Sequence, residues 1–217
     1  MKKNVVWHIV RLCLLPAVVF SPGALADCMN DFERDNAYKP SAGAYRMHER
    51  QLPLTLLNGE WLPSFKQETI NLIYEVVPPN AVRIISDAPF GKVGVIVIND
   101  KGWVRTGKDK TWEPLDAASS KDAIDKALTS YLNSDDLRGM TCSKEERDGR
   151  SMRVYRYNVP NPVFSILREA VTAYFDDRTG LFVNAEIEGG TERQKTITTL
   201  DIAFDNTIKI QPPGAVD

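Results

Sequence analysis

The chain has few of the residues from which most catalytic and metal sites are built. It contains two histidines and three cysteines in 217 residues, and His8 and Cys13 fall within the first 26. If the other two cysteines pair, His48 alone cannot supply the several imidazole or thiolate ligands of a zinc site. No Gly-x-Ser-x-Gly elbow accompanies His48, which is expected on the solvent-facing side of a strand. We predict no enzyme, no bound metal and no cofactor.

Long apolar runs are lacking after residue 26, so no transmembrane segment is predicted in the mature chain. The first 26 residues begin with Lys2 and Lys3, continue through an apolar stretch at 9–20 and end at Ala24-Leu25-Ala26. This is the pattern of a secretory signal peptide, cleaved after Ala26. A retained N-terminal anchor is the alternative. The predicted location is the periplasm.

An excess of basic charge is also lacking. Removing the predicted signal peptide takes away three basic and no acidic side chains, which leaves 24 basic and 29 acidic residues, a net charge of −5. This balance argues against nucleic acid and against an anionic membrane surface as the main partner. The remaining residues, 27–217, are enough for one well-buried soluble domain.

Two cysteines, Cys28 and Cys142, remain in the predicted mature chain. Cysteines in an exported protein most often pair, which favours a disulfide that joins the mature N-terminus to a distant segment. Two buried free thiols are the alternative.

A β-hairpin at residues 92–112 is the strongest local signal in the chain. A β-branched run reaches the turn Asn99-Asp100-Lys101-Gly102 and returns with Trp103, and Trp112 ends the stretch. Short-looped strands surround it, which predicts a single antiparallel sheet in a mainly β, α+β domain. About ten strands are expected, including 44–52, 65–77, 81–86, 140–145, 152–159, 166–176, 181–188, 196–204 and 207–210.

One helix is predicted with a capping box at Ser119–Asp122 and an apolar stripe that lies on one face of the sheet. The stripe consists of Ile124, Ala127, Leu128, Tyr131 and Leu132. A second, short helix is expected within 29–38. Residues 53–64, with two prolines and Asn58-Gly59, are predicted as a loop or loose hairpin that packs on the sheet or covers an opening.

Several turn-and-strand phrases resemble the LolA-like superfamily of periplasmic lipoprotein carriers and sensor domains, which includes RseB-type domains. They are Tyr74-Glu-Val-Val-Pro-Pro79, the hairpin at 95–107 with Trp112, Asp148-Gly149 leading into Val154-Tyr-Arg-Tyr157, Phe175-Asp-Asp-Arg-Thr-Gly-Leu181, and Ile208-Lys-Ile-Gln-Pro212. The resemblance implies a sheet curled into an incomplete barrel, with one or two helices packed on or into it and an apolar interior. It also implies binding or sensing of acyl chains. No functional residue of the family can be placed on this chain.

Large apolar side chains occur on nearly every predicted strand, and a curled sheet would bring many of them to one interior. We take them as candidates for the lining of a ligand cavity, with a packed core as the alternative. The candidates are Trp61, Phe65, Leu72, Tyr74, Trp103, Trp112, Tyr155 and Phe175, and Phe164 belongs to the same set of aromatics.

These features predict a soluble periplasmic binding or carrier protein that encloses a lipid or acyl chain, with residues 53–64 as a lid. The alternative is an envelope protein-interaction or sensor domain with a packed core and no ligand.

Overall fold

The computed structural model describes residues 22–88, 91–106, 111–132, 134–161 and 167–214. Within these ranges the chain forms one antiparallel sheet of twelve strands, not closed into a barrel, with two α-helices and a short 3-10 turn at Pro40–Ala42. The predicted fold class is therefore confirmed. The helices are α1 (Pro22–Asn36) and α2 (Ala117–Thr129). The strands are β1 (Tyr45–Leu57), β2 (Glu60–Pro63), β3 (Ile70–Val77), β4 (Ala81–Ala88), β5 (Gly91–Ile98), β6 (Lys101–Arg105), β7 (Glu113–Leu115), β8 (Arg138–Arg147), β9 (Arg150–Pro160), β10 (Arg168–Asp176), β11 (Phe182–Gly190) and β12 (Gln194–Phe204).

Two meanders lie side by side in the sheet, whose order is β7-β6-β5-β4-β3-β1-β12-β11-β10-β9-β8. They meet where β1 pairs with β12, from Tyr45 opposite Phe204 to Thr55 opposite Gln194. On its other side β1 pairs first with β3 and then, over its last four residues, with β2. The long β1 therefore joins both halves of the sheet.

The hairpin turns adopt the left-handed backbone that their residues favour. Asn99 has φ 58° in the β5–β6 turn, and Asn58 and Gly59 have φ 52° and 85° between β1 and β2. Asparagine and glycine tolerate this region at low cost, which is why such turns connect twisted strands. The predicted hairpin around Asn99 is confirmed, and residues 53–64 form mostly the β1–β2 hairpin.

Several predicted elements differ in extent. The strand predicted at 65–77 begins only at Ile70, whereas the one predicted at 44–52 continues to Leu57. The strand predicted at 207–210 is wrong, because Asp205 holds a turn there: its carboxylate accepts hydrogen bonds from the backbone N–H and the hydroxyl of Thr207. Twelve strands are found in the described ranges where about ten were expected.

The capping box predicted at Ser119 is also wrong. Helix α2 begins earlier, after Asp116, whose carboxylate accepts the backbone N–H of Ser119 at 2.9 Å. It ends at Thr129, so Tyr131 and Leu132 follow the helix instead of extending its stripe. Both are buried nevertheless, since the Tyr131 N–H donates to the carbonyl of Asn36 and draws this segment onto the end of α1.

Side chains alternate between the two faces of the sheet. We call the side that carries both helices the helix face and the opposite side the outer face. The helix face bears a buried row of cross-strand neighbours, Tyr45, Val76, Val82 and Val97. Helix α2 crosses β4, β5 and β6 on this face, and it approaches β6 closely at Gly102, where a Cβ would collide with Ser120.

Helix α1 is fixed to the other half of the sheet. Cys28 and Cys142 form a disulfide, as favoured from the sequence, with their Cα atoms 5.7 Å apart, and it joins α1 to β8. Residues 1–21 of the predicted signal peptide lie outside the described residues, and its cleavage stays a prediction. None of the helices in the described ranges is both long enough and apolar enough to span a membrane.

Candidate functional site

The helix face is sealed at the end where α1 packs. Phe32 of α1 is fully buried, with its ring centroid 5.3 Å from that of Tyr155 and 4.9 Å from that of Tyr157. The side chain of Asn36 makes two 2.9 Å hydrogen bonds with the backbone of Leu132, which ties α1 to the segment after α2. The dense aromatic packing leaves no room for a ligand beneath α1.

A buried carboxylate network supports this sealed end. Asp35 is 1% exposed. It accepts a hydrogen bond from the Tyr155 hydroxyl at 2.8 Å and forms an ion pair with the Arg153 guanidinium, also at 2.8 Å. Burial and this carboxylate together raise the pKa of Tyr155. The network is structural, because the Asp35 carboxylate of α1 meets both a hydroxyl donor and a guanidinium of β9.

Helix α2 covers its part of the sheet less tightly. Of its residues, Ser120 alone is fully buried, whereas Ile124, Ala127 and Leu128 are half-buried and pack at the margin of the core. The sheet residue Ile84 beneath it is half-buried as well. The apolar surfaces of helix and sheet therefore face each other without complete mutual burial.

The helix face continues beyond both helices toward one end of the sheet, which we call the open end. Here Ile70 and Leu72 are half-buried. On the β1–β2 hairpin and the loop after it, Leu57 is 39% exposed, Leu62 43% and Phe65 74%. The register places Leu57 and Leu62 on the helix face, so two exposed apolar side chains of this face lie on the hairpin.

A cleft of about 420 Å³ lies on the helix face at the open end. Its floor includes Ile70, Thr196 and Gln51, and residues 66–68 form one wall. The Ser64 hydroxyl accepts the backbone N–H groups of residues 66 and 67 at 3.2 Å each, which shapes this wall. The volume is within the range of small-molecule sites, about 300–1,000 Å³.

Another cleft of the described surface is less suited to an apolar guest. It has a volume of about 530 Å³ and is lined by polar and charged residues of the β8–β9 and β10–β11 turns, including Asp176 and Asp177. Hydrogen bonds from Thr179 lower the pKa of Asp176, and one from Lys144 lowers that of Asp177. Both carboxylates already accept hydrogen bonds from these donors, so their role is to stabilise the turns.

Glu49 also brings a charge onto the helix face. Its carboxylate accepts the Tyr74 hydroxyl at 2.9 Å and the Gln51 amide at 2.6 Å. Burial, with the adjacent Glu49 carboxylate as a smaller cause, raises the pKa of Tyr74. Gln51 also lines the cleft, which places this polar group next to the cleft floor.

The structure does not bring the eight predicted cavity residues together. Leu72, Tyr74, Tyr155 and Phe175 lie on the helix face, the last two in the sealed core. Trp61, Trp103 and Trp112 lie on the outer face. Phe65 is exposed in the loop at the open end, and Phe164 lies outside the described residues. Their role in lining a ligand site stays a prediction.

The outer-face tryptophans have partners of their own. The Arg105 guanidinium lies 4.7 Å from the centroid of the Trp112 ring, and the Lys195 ammonium lies 4.7 Å from that of Trp61. These are cation–π contacts. His48 is exposed on the same face, and the described residues contain no group of three or more potential metal ligands.

Sequence reasoning missed Leu57, Leu62, Ile70 and Gln51 as residues of the open end. A signal for two of them was present: a two-residue turn at Asn58-Gly59 pairs residue 57 with 60 and residue 55 with 62. This register puts Leu57 and Leu62 on one face. The position of Ile70 beside the cleft depends on the loop at 64–69, for which the sequence gives no comparable signal.

No protein-family model matches the sequence, and no curated protein matches it. Two solved structures are similar. A LolA superfamily protein from Nitrosomonas europaea has 8% identity and a TM-score of 0.31, with 83% of this chain and 91% of that one covered. A putative outer membrane lipoprotein-sorting protein domain from Vibrio parahaemolyticus has 8% identity and a TM-score of 0.34, with 84% and 93% covered. The function proposed below depends on this chain's own contacts.

Proposed function

We propose that the protein binds an apolar ligand, such as a lipid or acyl chain, along the helix face, with entry at the open end. One observation carries this proposal: the helix face is packed beneath α1 at one end, whereas its apolar side chains Leu57 and Leu62 are exposed at the other, as is Phe65 in the loop that follows. A solvated surface of this kind stabilises nothing in the free protein. It gains free energy only when apolar atoms cover it.

The bound chain extends from the cleft at Ile70 toward the half-buried side chains between α2 and the sheet. Each methylene that it buries contributes about 0.8 kcal/mol, so about ten buried methylenes correspond to the roughly 8.2 kcal/mol of micromolar affinity. Residues 53–63 are held in the sheet by β1 and β2. The loop at 64–69 therefore forms the wall that covers the bound chain. The hairpin within 53–64, the segment predicted as a lid, supports this loop.

The proposed site of action is the periplasm. The Cys28–Cys142 disulfide supports it, because such bonds persist in oxidising compartments. The N-terminal pattern of the sequence adds a route of export.

Paired substitutions on adjacent residues of β2 test the proposal. Leu62 lies on the helix face and Trp61 on the outer face, and their exposures are similar, at 43% and 36%. We expect the neutral fluorophore N-phenyl-1-naphthylamine to bind the wild-type protein. Leu62→Glu should weaken binding by about tenfold, since it removes an apolar contact of roughly 1.4 kcal/mol, whereas Trp61→Glu should leave it unchanged.

Two results would contradict apolar binding. The first is an absence of probe uptake together with consistently ligand-free protein in native mass spectrometry. The second is an equal loss of binding from both substitutions, which would place the probe away from the helix face.

An envelope protein-interaction or sensor domain without a ligand is the second candidate function. The fully packed aromatic cluster of Phe32, Tyr155 and Phe175 favours it, since that part of the interior has no space for a guest. Under this alternative Leu57, Leu62 and Phe65 would contact a protein partner. Co-purification of one envelope protein, lost on Leu62→Glu, in the absence of probe uptake would support it.

A further inference from the structure

Glu49 lies on the helix face among uncharged cross-strand neighbours. Its direct cross-strand neighbours are Leu72 on β3 and Leu200 on β12. The diagonal neighbours on the same face are Ile70, Tyr74, Thr198 and Ile202, and the neighbours along β1 are Met47 and Gln51. None of these residues is basic.

The printed partners of the Glu49 carboxylate are two neutral donors, the Tyr74 hydroxyl and the Gln51 amide. Within the described ranges it forms no ion pair, in contrast to Glu75 on the outer face, which lies between Arg46 and Arg83. Lys121 and Lys126 of α2 pair with carboxylates of that helix. Among the residues that the structure describes, Glu49 therefore has no basic partner.

A half-buried carboxylate on an apolar surface is unfavourable unless something offsets its lost hydration. Two donors hold it in a fixed orientation, and a carboxylate can accept about four hydrogen bonds, so acceptor capacity remains. The charged residues on the cleft wall, Lys66 and Glu68, have opposite signs and nearly cancel. Glu49 therefore places a negative charge beside the cleft, where Gln51 of the cleft donates to it.

We infer that Glu49 selects the head group of the ligand, and that the site takes a cationic amphiphile with an ammonium group beside its apolar chain. This inference rests on the proposed function. An ammonium would donate to the free lone pairs of Glu49 while its chain lies on Ile70 and Leu72. An anionic amphiphile, such as a free fatty acid, would bring a second carboxylate to the same position and be repelled.

Competition between two amphiphiles of equal chain length tests the inference. Near neutral pH, dodecylammonium and dodecanoate are each titrated against protein loaded with N-phenyl-1-naphthylamine. We expect dodecylammonium to displace the probe at least tenfold more effectively. Glu49→Gln keeps the shape of the side chain, replaces one acceptor oxygen by a donor NH2 and removes the charge, so it should abolish this preference. Glu186→Gln, an exposed carboxylate on the outer face of β11, is the matched control and should retain it.

The outcomes separate the two claims. If the wild-type protein binds neither the probe nor either amphiphile, the proposed function fails. If it binds both amphiphiles equally, or prefers dodecanoate, the role of Glu49 fails while apolar binding stands. Loss of the preference in Glu186→Gln as well would assign it to the general surface charge and overturn the inference. The comparison of dodecylammonium with dodecanoate on the wild-type protein can overturn the inference by itself, even if a variant does not fold.

Discussion

Substitution of Phe32 by alanine should remove the main apolar contact between α1 and the sheet. The side chain has 0% exposure, and three aromatic rings surround it, those of Tyr155, Tyr157 and Phe175, with centroids 4.9–6.3 Å away. These neighbours belong to β9 and β10, whose backbones are fixed in the centre of a ladder. The strands cannot close around the vacated volume, so a cavity would remain.

The expected loss in the free energy of unfolding is about 3–5 kcal/mol, the range for a buried phenylalanine replaced by alanine. The upper half of that range applies if the cavity stays open, since the disulfide at Cys28 keeps α1 in place and prevents it from adjusting. This is a large share of the ~5–15 kcal/mol stability of a typical domain. Partial unfolding at room temperature is therefore a realistic result.

Urea denaturation monitored by circular dichroism measures the effect. Glu33→Ala, on the exposed side of the same helix, is the control and should change the stability by no more than about 0.5 kcal/mol. A loss of less than about 1 kcal/mol for Phe32→Ala, with the disulfide intact, would show that α1 does not seal the helix face.

Further predictions concern the disulfide, a buried ion pair and a buried tyrosine. Replacing Cys28 and Cys142 by serine should lower the free energy of unfolding by up to about 4.8 kcal/mol for a separation of 114 residues, and a loss near zero in urea titrations would refute this. Glu75→Gln removes the charge between two arginines and should cost about 2 kcal/mol; an unchanged urea midpoint would contradict it. Burial raises the pKa of Tyr131 to about 12 from its ordinary 10.0. The neutral Tyr131 phenol therefore contributes fully to the free energy of unfolding below pH 10, and this contribution is lost as the pH rises toward 12. A free energy of unfolding that stays constant over this interval would argue against burial of the phenol.

Local turn chemistry made most of the strands predictable. Asn58-Gly59, Asn99-Asp100 and Asp148-Gly149 each mark a hairpin whose strands lie where the alternation of residues predicts them. The helix boundaries were harder, because Asp116 and Ser119 are both good capping residues and the sequence does not rank them. Contacts with α1 end the helix at Thr129, and such contacts are invisible in a local pattern.

The two faces of the sheet could not be assigned from sequence. Alternation shows that Trp103 and Val104 point in opposite directions, but not which of them meets the helices. That depends on pairing between β1 and β12, which are about 150 residues apart and set the curl of the whole sheet. For this reason the sequence alone predicts one interior for the aromatic residues, whereas three tryptophans lie on the outer face.

Methyl NMR on isoleucine- and leucine-labelled protein tests the central claim most directly, because neighbouring strand residues report on opposite faces of the sheet. Titration with dodecylammonium should shift the methyl resonances of Leu62 and Ile70 on the helix face, and leave those of Ile73 and Ile85 on the outer face unchanged. Shifts confined to the outer-face methyl groups, or no shifts at all, would contradict binding on the helix face.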